Sequence, residues 1–334
     1  MKQLIKKLVE ATGPSGYEAE VRNIIREEIS AVADEIDVDP LGNLIAKKGK
    51  KRDGGKRIMV ASHMDEIGVM ATHIDDNGFV RFTGIGGVYL STLFGGRVKF
   101  TNGTHGVIGY ETPSFGKNLP EMSKFFIDVG AKNREDCPVR PGDAAAFYRT
   151  FEDMGDRLAA KAMDDRIAVA ISIEAMKQLG ETPNEIFFVF TVQEEVGLRG
   201  AQTSAVGIDP EIGLAVDITD SFDTPNDHKI DIRMGRGPAI KVKDDYLVVD
   251  PRIVDWMEQA ATRIGIPHQF EVLPFGGTDA GAISLIRGGV PSGCISIPTR
   301  YAHSPSEVLD YNDVTNAVKL LVELISKPVE LSER

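Results

Sequence analysis

The chain has 334 residues, too many for one ordinary core and enough for two domains. Hydrophobic residues at 42% and charged residues at 26% are the proportions of a soluble globular protein, and no stretch is long and apolar enough to span a membrane. The net charge of -12 argues against a nucleic-acid partner, which needs a basic face, and matches an anionic membrane surface poorly.

Leu4, Ile5, Leu8 and Val9 predict a first amphipathic helix, stopped by Gly13-Pro14-Ser15-Gly16. A second helix is expected from near Tyr17, with Val21, Ile24, Ile25 and Ile29 turned inward. Short strands follow around residues 35–38 and 43–46, and then a strand that ends at His63. After Glu66 the pattern changes to short β-type segments broken by turns. Residues 69–74 and 79–82 flank Asp76-Asn77-Gly78, and residues 97–100 and 107–109 flank Asn102-Gly103; both are hairpin signals. Residues 69–153 therefore predict a small all-β domain, barrel or sandwich, inserted into a larger α/β domain of residues 1–68 and 154–334. Further helices are predicted at 165–179, 253–264, 281–286 and 311–325, alternating with strands. The expected fold class is α/β, with a mostly parallel central sheet flanked by helices.

Two cysteines, Cys137 and Cys294, are too few for a disulfide framework; Cys294 lies in an apolar run and reads as a buried thiol. The first nine residues alternate charge with apolar side chains and lack the continuous apolar core of a secretory signal, so the expected compartment is the cytoplasm.

Four apolar runs end on residues able to bind a metal. Ile58-Met59-Val60-Ala61-Ser62 leads to His63, and Ile186 to Val192 leads to Glu194-Glu195. Ile212-Gly213-Leu214-Ala215-Val216 leads to Asp217, and Cys294-Ile295-Ser296-Ile297 is followed after a short loop by His303. Such runs read as buried parallel strands, and open α/β sheets gather ligands at strand carboxyl ends. Asp65, two positions after His63, is placed to accept a hydrogen bond from the imidazole nitrogen facing away from a metal. Met163-Asp164-Asp165-Arg166 opens a helix, where one Asp caps and the other turns into the site, or both serve the helix terminus. Adjacent Glu194 and Glu195 repel unless a cation or shared proton lies nearby, and both reach one site only if the chain leaves extended geometry there. One is then a ligand and the other a general base. His73, His105, His228 and His268 read as surface or structural residues. Two histidines and three carboxylates exceed what one tetrahedral zinc needs and suit a pair of ions sharing a carboxylate. Zinc, cobalt and manganese all accept such ligands.

In this order, the segments resemble the M42 family of metallo-aminopeptidases, which includes glutamyl and tetrahedral aminopeptidases and relatives once labelled endoglucanase or cellulase M. The matching segments are Gly13-Pro14-Ser15-Gly16, His63-Met64-Asp65-Glu66, Ala162-Met163-Asp164-Asp165-Arg166 and Val192-Gln193-Glu194-Glu195-Val196-Gly197, then Val216-Asp217, Gly276-Gly277-Thr278-Asp279-Ala280-Gly281 and Thr299-Arg300-Tyr301-Ala302-His303-Ser304. The resemblance implies that His63 and Asp217 hold one divalent ion, Glu195 and His303 the other, and that Asp164 bridges them. It implies Glu194 as general base and Asp65 as the residue that orients His63. It also implies peptide substrates, and an inserted β domain that builds dimers into a hollow tetrahedral dodecamer. The alternatives weighed are a metal-dependent N-acyl amino acid deacylase, a glycosidase and a non-catalytic assembly protein.

Overall fold

The computed structural model describes residues 1–111, 120–225 and 229–332. Helices α1 (Lys2–Glu10) and α2 (Ala19–Ile29) precede strands β1 (Glu35–Val38), β2 (Leu44–Lys48) and β3 (Arg57–His63). Next come β4 (Gly68–Ile74), β5 (Val80–Ile85), β6 (Arg97–Phe100), β7 (His105–Tyr110), β8 (Phe125–Asp128) and β9 (Ala144–Phe147). The chain returns through β10 (Glu152–Met154), β11 (Arg157–Ala160), α3 (Met163–Gln178), β12 (Glu185–Thr191), α4 (Arg199–Ile208) and β13 (Ile212–Asp220). It continues with β14 (Ala239–Lys243), α5 (Pro251–Arg263), β15 (Gln269–Val272), α6 (Asp279–Ser284), β16 (Ser292–Arg300), β17 (Glu307–Asp310) and α7 (Tyr311–Ser326).

The large sheet runs β1-β2-β12-β3-β13-β16-β17-β11-β10, with β14 and β15 attached beside β16. Its four central strands, β12, β3, β13 and β16, are parallel neighbours. They are the strands predicted to carry the site, and their side chains are buried because helices cover both faces. The sheet as a whole is mixed, which corrects the expectation of a mostly parallel one. β1–β2, β2–β12, β16–β17, β17–β11 and β11–β10 all pair antiparallel. The physical reason is connection length: β1–β2, β10–β11 and β16–β17 are joined by short links, which cannot carry a parallel crossover.

Helix α3 is buried along nearly all its length, in keeping with the run Ile167-Ala168-Val169-Ala170-Ile171. A helix apolar on all sides belongs inside. It packs between the sheet and α1, α2 and α7, and so fixes Asp164 at its start against the strand ends.

Strands β4 to β9 form a closed barrel, in the order β4-β5-β8-β7-β6-β9. The barrel has its own apolar core, including Val69, Phe82, Val98, Phe100, Ile127 and Phe147. Closure removes the exposed sheet edges that such short strands would otherwise present. Where the chain leaves the large sheet for the barrel, Glu66 is 2% exposed. It accepts hydrogen bonds from Lys161 Nζ at 2.7 and 2.9 Å, Arg166 Nη2 at 3.2 Å and the Gly13 amide at 3.0 Å. Lys161 and Arg166 are buried too, so one carboxylate is held by two guanidinium or ammonium groups at this crossing. Cys294 is buried, as expected, and Cys137 is half-buried. Among the described residues no helix is long and apolar enough to cross a membrane.

Candidate active site

β3 ends on His63, which pairs in register with Thr191, the last residue of β12. Asp217 lies on the adjacent β13, opposite Ser296 of β16. His303 follows β16 in the loop before β17, with a left-handed backbone at φ 57°. Because these strands are parallel, their carboxyl ends meet at one edge of the sheet. Asp164 enters from the start of α3, where Asp164 and Asp165 depart from helical dihedrals and the peptide bond between them is cis. The chain leaves extended geometry after β12: Gln193 has φ 56°, and the amides of Gly197 and Leu198 both donate to the Glu194 carbonyl at 2.9 Å. This turn lets neighbouring Glu194 and Glu195 face the same space.

The side chains form two groups that share Asp164. His63, Asp164 and Asp217 offer donor atoms within 4.8 Å of one another, and so do Asp164, Glu195 and His303. Asp164 Oδ1 lies 2.9 Å from His63 Nε2, and Asp164 Oδ2 lies 3.3 Å from His303 Nε2. Glu195 Oε2 is 3.4 Å from His303 Nε2, and Asp217 Oδ1 is 4.0 Å from His63 Nε2. Glu194 Oε2 stands 3.9 Å from His63 Nε2. Asp65 is fully buried; its Oδ1 lies 3.5 Å from His63 Nδ1, long for a hydrogen bond but on the side away from Asp164. The same carboxylate accepts the Glu194 amide at 3.0 Å and the Glu195 amide at 3.3 Å. One side chain thus braces the His63 ring and the acidic turn together.

The electrostatics fit divalent cations. Burial raises the Glu195 carboxyl, His303 opposes and Asp164 adds to the rise, leaving it at about 8. Burial, with Asp217, Asp279 and Glu195, holds Glu194 well above its ordinary value, and burial with Asp164 does the same to Asp217. Burial works against the His303 cation, but Glu195 and Asp164 outweigh it and place the imidazole at about 11. Asp164 is pulled down: burial opposes, but the two imidazoles prevail; Asp65 is lowered as well, against burial, by His63 and Ser15. Buried acids crowded in this way oppose one another's ionisation, which positive charge among them relieves. Glu195 Oε1 is buried with no protein partner, as expected of a ligand atom whose partner is not a protein group. The set of two imidazoles and three carboxylates matches zinc, cobalt or manganese.

The profile of the M42 glutamyl aminopeptidase family matches residues 42–320. The chain belongs to the M42 family. Members are aminopeptidases, hydrolases that act on peptide bonds. An Acetivibrio thermocellus protein, provisionally named an aminopeptidase, is 51% identical to this M42 chain over 97% of it and 98% of the relative. Among solved structures, an aminopeptidase from Desulfurococcus kamchatkensis is 40% identical with a TM-score of 0.93, covering 97% of this chain and 94% of the other. The TET1 peptidase of Pyrococcus horikoshii, which assembles into a tetrahedron or a large octahedral shell, is 34% identical with a TM-score of 0.88, covering 97% and 98%.

Around the M42 site stand further residues: for Ser15, Glu307 and Gly87 the sequence suggested no role, while Thr278 or Asp279 was expected at the N-cap of a helix beside the site. Ser15 Oγ donates to Asp65 Oδ2 at 2.6 Å, which gives the Gly13-Pro14-Ser15-Gly16 segment a purpose. Glu307, 2% exposed, accepts the Asp164 amide at 3.1 Å and the His303 amide at 2.9 Å. A carboxylate so soon after a candidate ligand was the available signal. Asp279 is buried and accepts the Thr191 hydroxyl at 2.5 Å, while Thr278, at the N-cap position of α6, makes no side-chain cap bond. The Gly87 carbonyl lies 2.9 Å from His303 Nδ1, a contact from the barrel that no sequence spacing foretells. Of the other histidines, His73 and His105 are exposed and His268 is half-buried; His228 lies outside the described residues.

A cavity of about 350 Å³ opens beside the carboxylates. Ile218, Leu273, Tyr246 and Phe275 give it apolar walls. Lys241, also in its lining, is 2% exposed and pairs with buried Glu271 and with Asp244, the latter at 3.2 Å.

Proposed function

We propose that this chain is a dinuclear metal aminopeptidase that removes residues one at a time from the N-terminus of peptides. The observation that carries the reading is the pair of donor groups joined through Asp164, one oxygen toward each imidazole. His63 and Asp217 would hold one divalent ion, Glu195 and His303 the other, and Asp164 both. Bound there, two ions such as zinc or cobalt, with manganese a third choice, lower the pKa of water and polarise the scissile carbonyl.

The chain's own groups supply the rest. Glu194, buried at the edge of the cluster, takes the proton of the attacking water and returns it to the departing amine. Asp65 keeps the His63 ring and the Glu194-Glu195 turn in place. The cavity beside Asp217 receives the first side chain of the peptide. Lys241 is committed to Glu271 and Asp244, so its charge is not offered to an acidic substrate. We therefore propose a preference for uncharged, apolar first residues, although the family description speaks of glutamyl substrates.

We further propose residues 1–68 and 154–334 as the catalytic unit, with residues 69–153 as an insert for assembly. By kinship with the tetrahedral TET1 peptidase, dimers would build a hollow dodecamer, in the cytoplasm. Such a shell would admit unfolded peptides and exclude folded proteins.

The test joins chelation to one substitution. Removal of metal should abolish hydrolysis of aminoacyl-nitroanilides, and zinc or cobalt should restore it. Glu194→Gln should keep two metal equivalents and the assembly while turnover falls by at least about a hundredfold, the scale of a lost general base. Retained turnover in that variant removes Glu194 as base. A deacylase would instead cleave N-acyl amino acids and ignore free-amine substrates. A glycosidase would survive chelation and has no use for the two imidazoles.

A further inference from the structure

Gly86 and Gly87 follow β5 in the barrel and lean over the His303 side of the site. The Gly87 carbonyl is 2.9 Å from His303 Nδ1. A carbonyl only accepts, so Nδ1 carries a proton, and Nε2 is the nitrogen left to offer a lone pair to an ion once it has given up its own proton. Nε2 is the atom facing Asp164 and Glu195, at 3.3 and 3.4 Å. A Cβ built on Gly87 would lie 2.6 Å from His303 Nδ1 and 2.9 Å from its Cε1, nearer than real side-chain contacts allow. A Cβ on Gly86 would lie 3.1 Å from Glu195 Cβ and 3.2 Å from its Oε2. Two adjacent residues of the barrel therefore sit against both non-shared donors of one half of the site.

We propose that the barrel completes this half: the Gly87 carbonyl fixes the tautomer and ring angle of His303, as a positioning group for the ion that His303 and Glu195 hold. This rests on the two-ion reading above. The physical ground is general, since a ligating imidazole needs its other N–H anchored to a carboxylate or carbonyl. For His63 the nearest such group, Asp65 Oδ1 at 3.5 Å from Nδ1, comes from the same strand end. For His303 it comes from another domain. Displacement of the barrel relative to the large sheet then acts on the His303 half and spares the His63 half.

The experiment is cobalt titration of the metal-stripped full-length protein, followed calorimetrically and by the visible absorption of the bound ion. Wild type should bind two equivalents per chain. Gly87→Ala should weaken one equivalent by about 10- to 100-fold, the range found when an outer hydrogen bond to a ligand is lost. The other equivalent should stay within about twofold of wild type. Gly84→Ala is the control from the same strand end: its Cβ would meet only Val88, at 3.4 Å and beyond, and Gly86 O at 3.7 Å, so both equivalents should bind as in wild type. A second variant keeps the backbone intact: Nδ1-methylhistidine placed at position 303 cannot donate to Gly87 but retains Nε2. It should lose the same equivalent, and it decides the matter if circular dichroism shows Gly87→Ala unfolded. Wild-type binding of fewer than two ions would refute the two-ion reading. Wild-type affinities in the methylhistidine variant, with two ions bound, would refute the positioning role of Gly87 alone. Equal weakening of both equivalents in the folded variants would refute it also.

Discussion

His63 ends a central strand, its side chain 2% exposed, and is braced by Asp65 two residues on. His303 sits in a loop, its side chain 28% exposed, and is braced by Glu307 through its amide and by Gly87 through its ring. The first imidazole is placed by the sheet, the second by the meeting of a loop with the barrel. One kind of side chain is thus held in two ways: by burial on a rigid element, and by hydrogen bonds from its own loop and from the barrel. The second way costs the core little but leaves its geometry open to movement of the barrel against the large sheet.

The shared residue is where the contrast breaks down. Asp164→Ala removes the carboxylate that faces both imidazoles, so activity should fall by on the order of a thousandfold, the scale of a lost electrostatic group. Bound metal, measured by elemental analysis, should drop to one equivalent or less; full two-ion occupancy would contradict the bridging role. A gentler pair of variants sharpens the contrast. His63→Ala leaves a cavity beside buried Asp65, so the metal-stripped protein should lose about 3 kcal/mol of unfolding stability. His303→Ala, at the more exposed position, should lose less by the same denaturant titration, although it removes the cation facing Asp164 and Glu195. Equal losses would mean that the two halves are not held differently. Ser15→Ala removes the hydroxyl that holds Asp65 Oδ2. It should lower cobalt affinity of the His63 half by roughly 10-fold and spare the His303 half, with partial rescue by Ser15→Thr.

The smallest effect lies at the opposite ends of the strands. Partial burial pushes the Glu211 carboxyl up, but Lys51, the Arg57 amide and Lys56 outweigh it and hold it at about 2, against its ordinary 4.5. Its contribution to stability is therefore complete above pH 4.5 and lost as pH falls through about 2. The side chain is 34% exposed, so solvent screening keeps that contribution below about 1 kcal/mol. Glu211→Gln should lower stability slightly at pH 7, and acid titration of unfolding should show the gap from wild type closing below pH 4.5. A gap independent of pH would show that the ion pairs contribute nothing.

The residues that the sequence made legible are those on the sheet. Runs such as Ile58–Ser62 and Phe187–Val192 announce buried strands by composition, and a titratable residue at the end of each stands out against them. His63, Glu194, Glu195 and Asp217 were visible for that reason. Of the outer strands, β1 and β2 were foretold at 35–38 and 43–46, but β10 was not, since all three of its residues are exposed. Their pairing is set by turns rather than by apolar pattern, so the mixed character of the sheet did not show. Ser15 and Gly87 were hidden for a different reason. Each acts through a contact between segments far apart in the chain, Ser15 with Asp65 and Gly87 with His303, and no local periodicity encodes that distance. The barrel sits between these cases, since its Asn-Gly turns and short strands foretold an all-β insert but not the order in which the strands close.

The buried cluster of Glu66, Lys161 and Arg166 bears on how this architecture tolerates rebuilding. Glu66 belongs to the outgoing crossing, Lys161 follows the returning strand, and Arg166 ties both to the carbonyls of Leu8 and Gly13. A chimera that exchanges the barrel for another module must splice on the far side of this knot, beyond Ile67 and before β10. A graft cut closer would strand a lone charge in the interior, and the penalty would fall on the large α/β body instead of on the transplanted part.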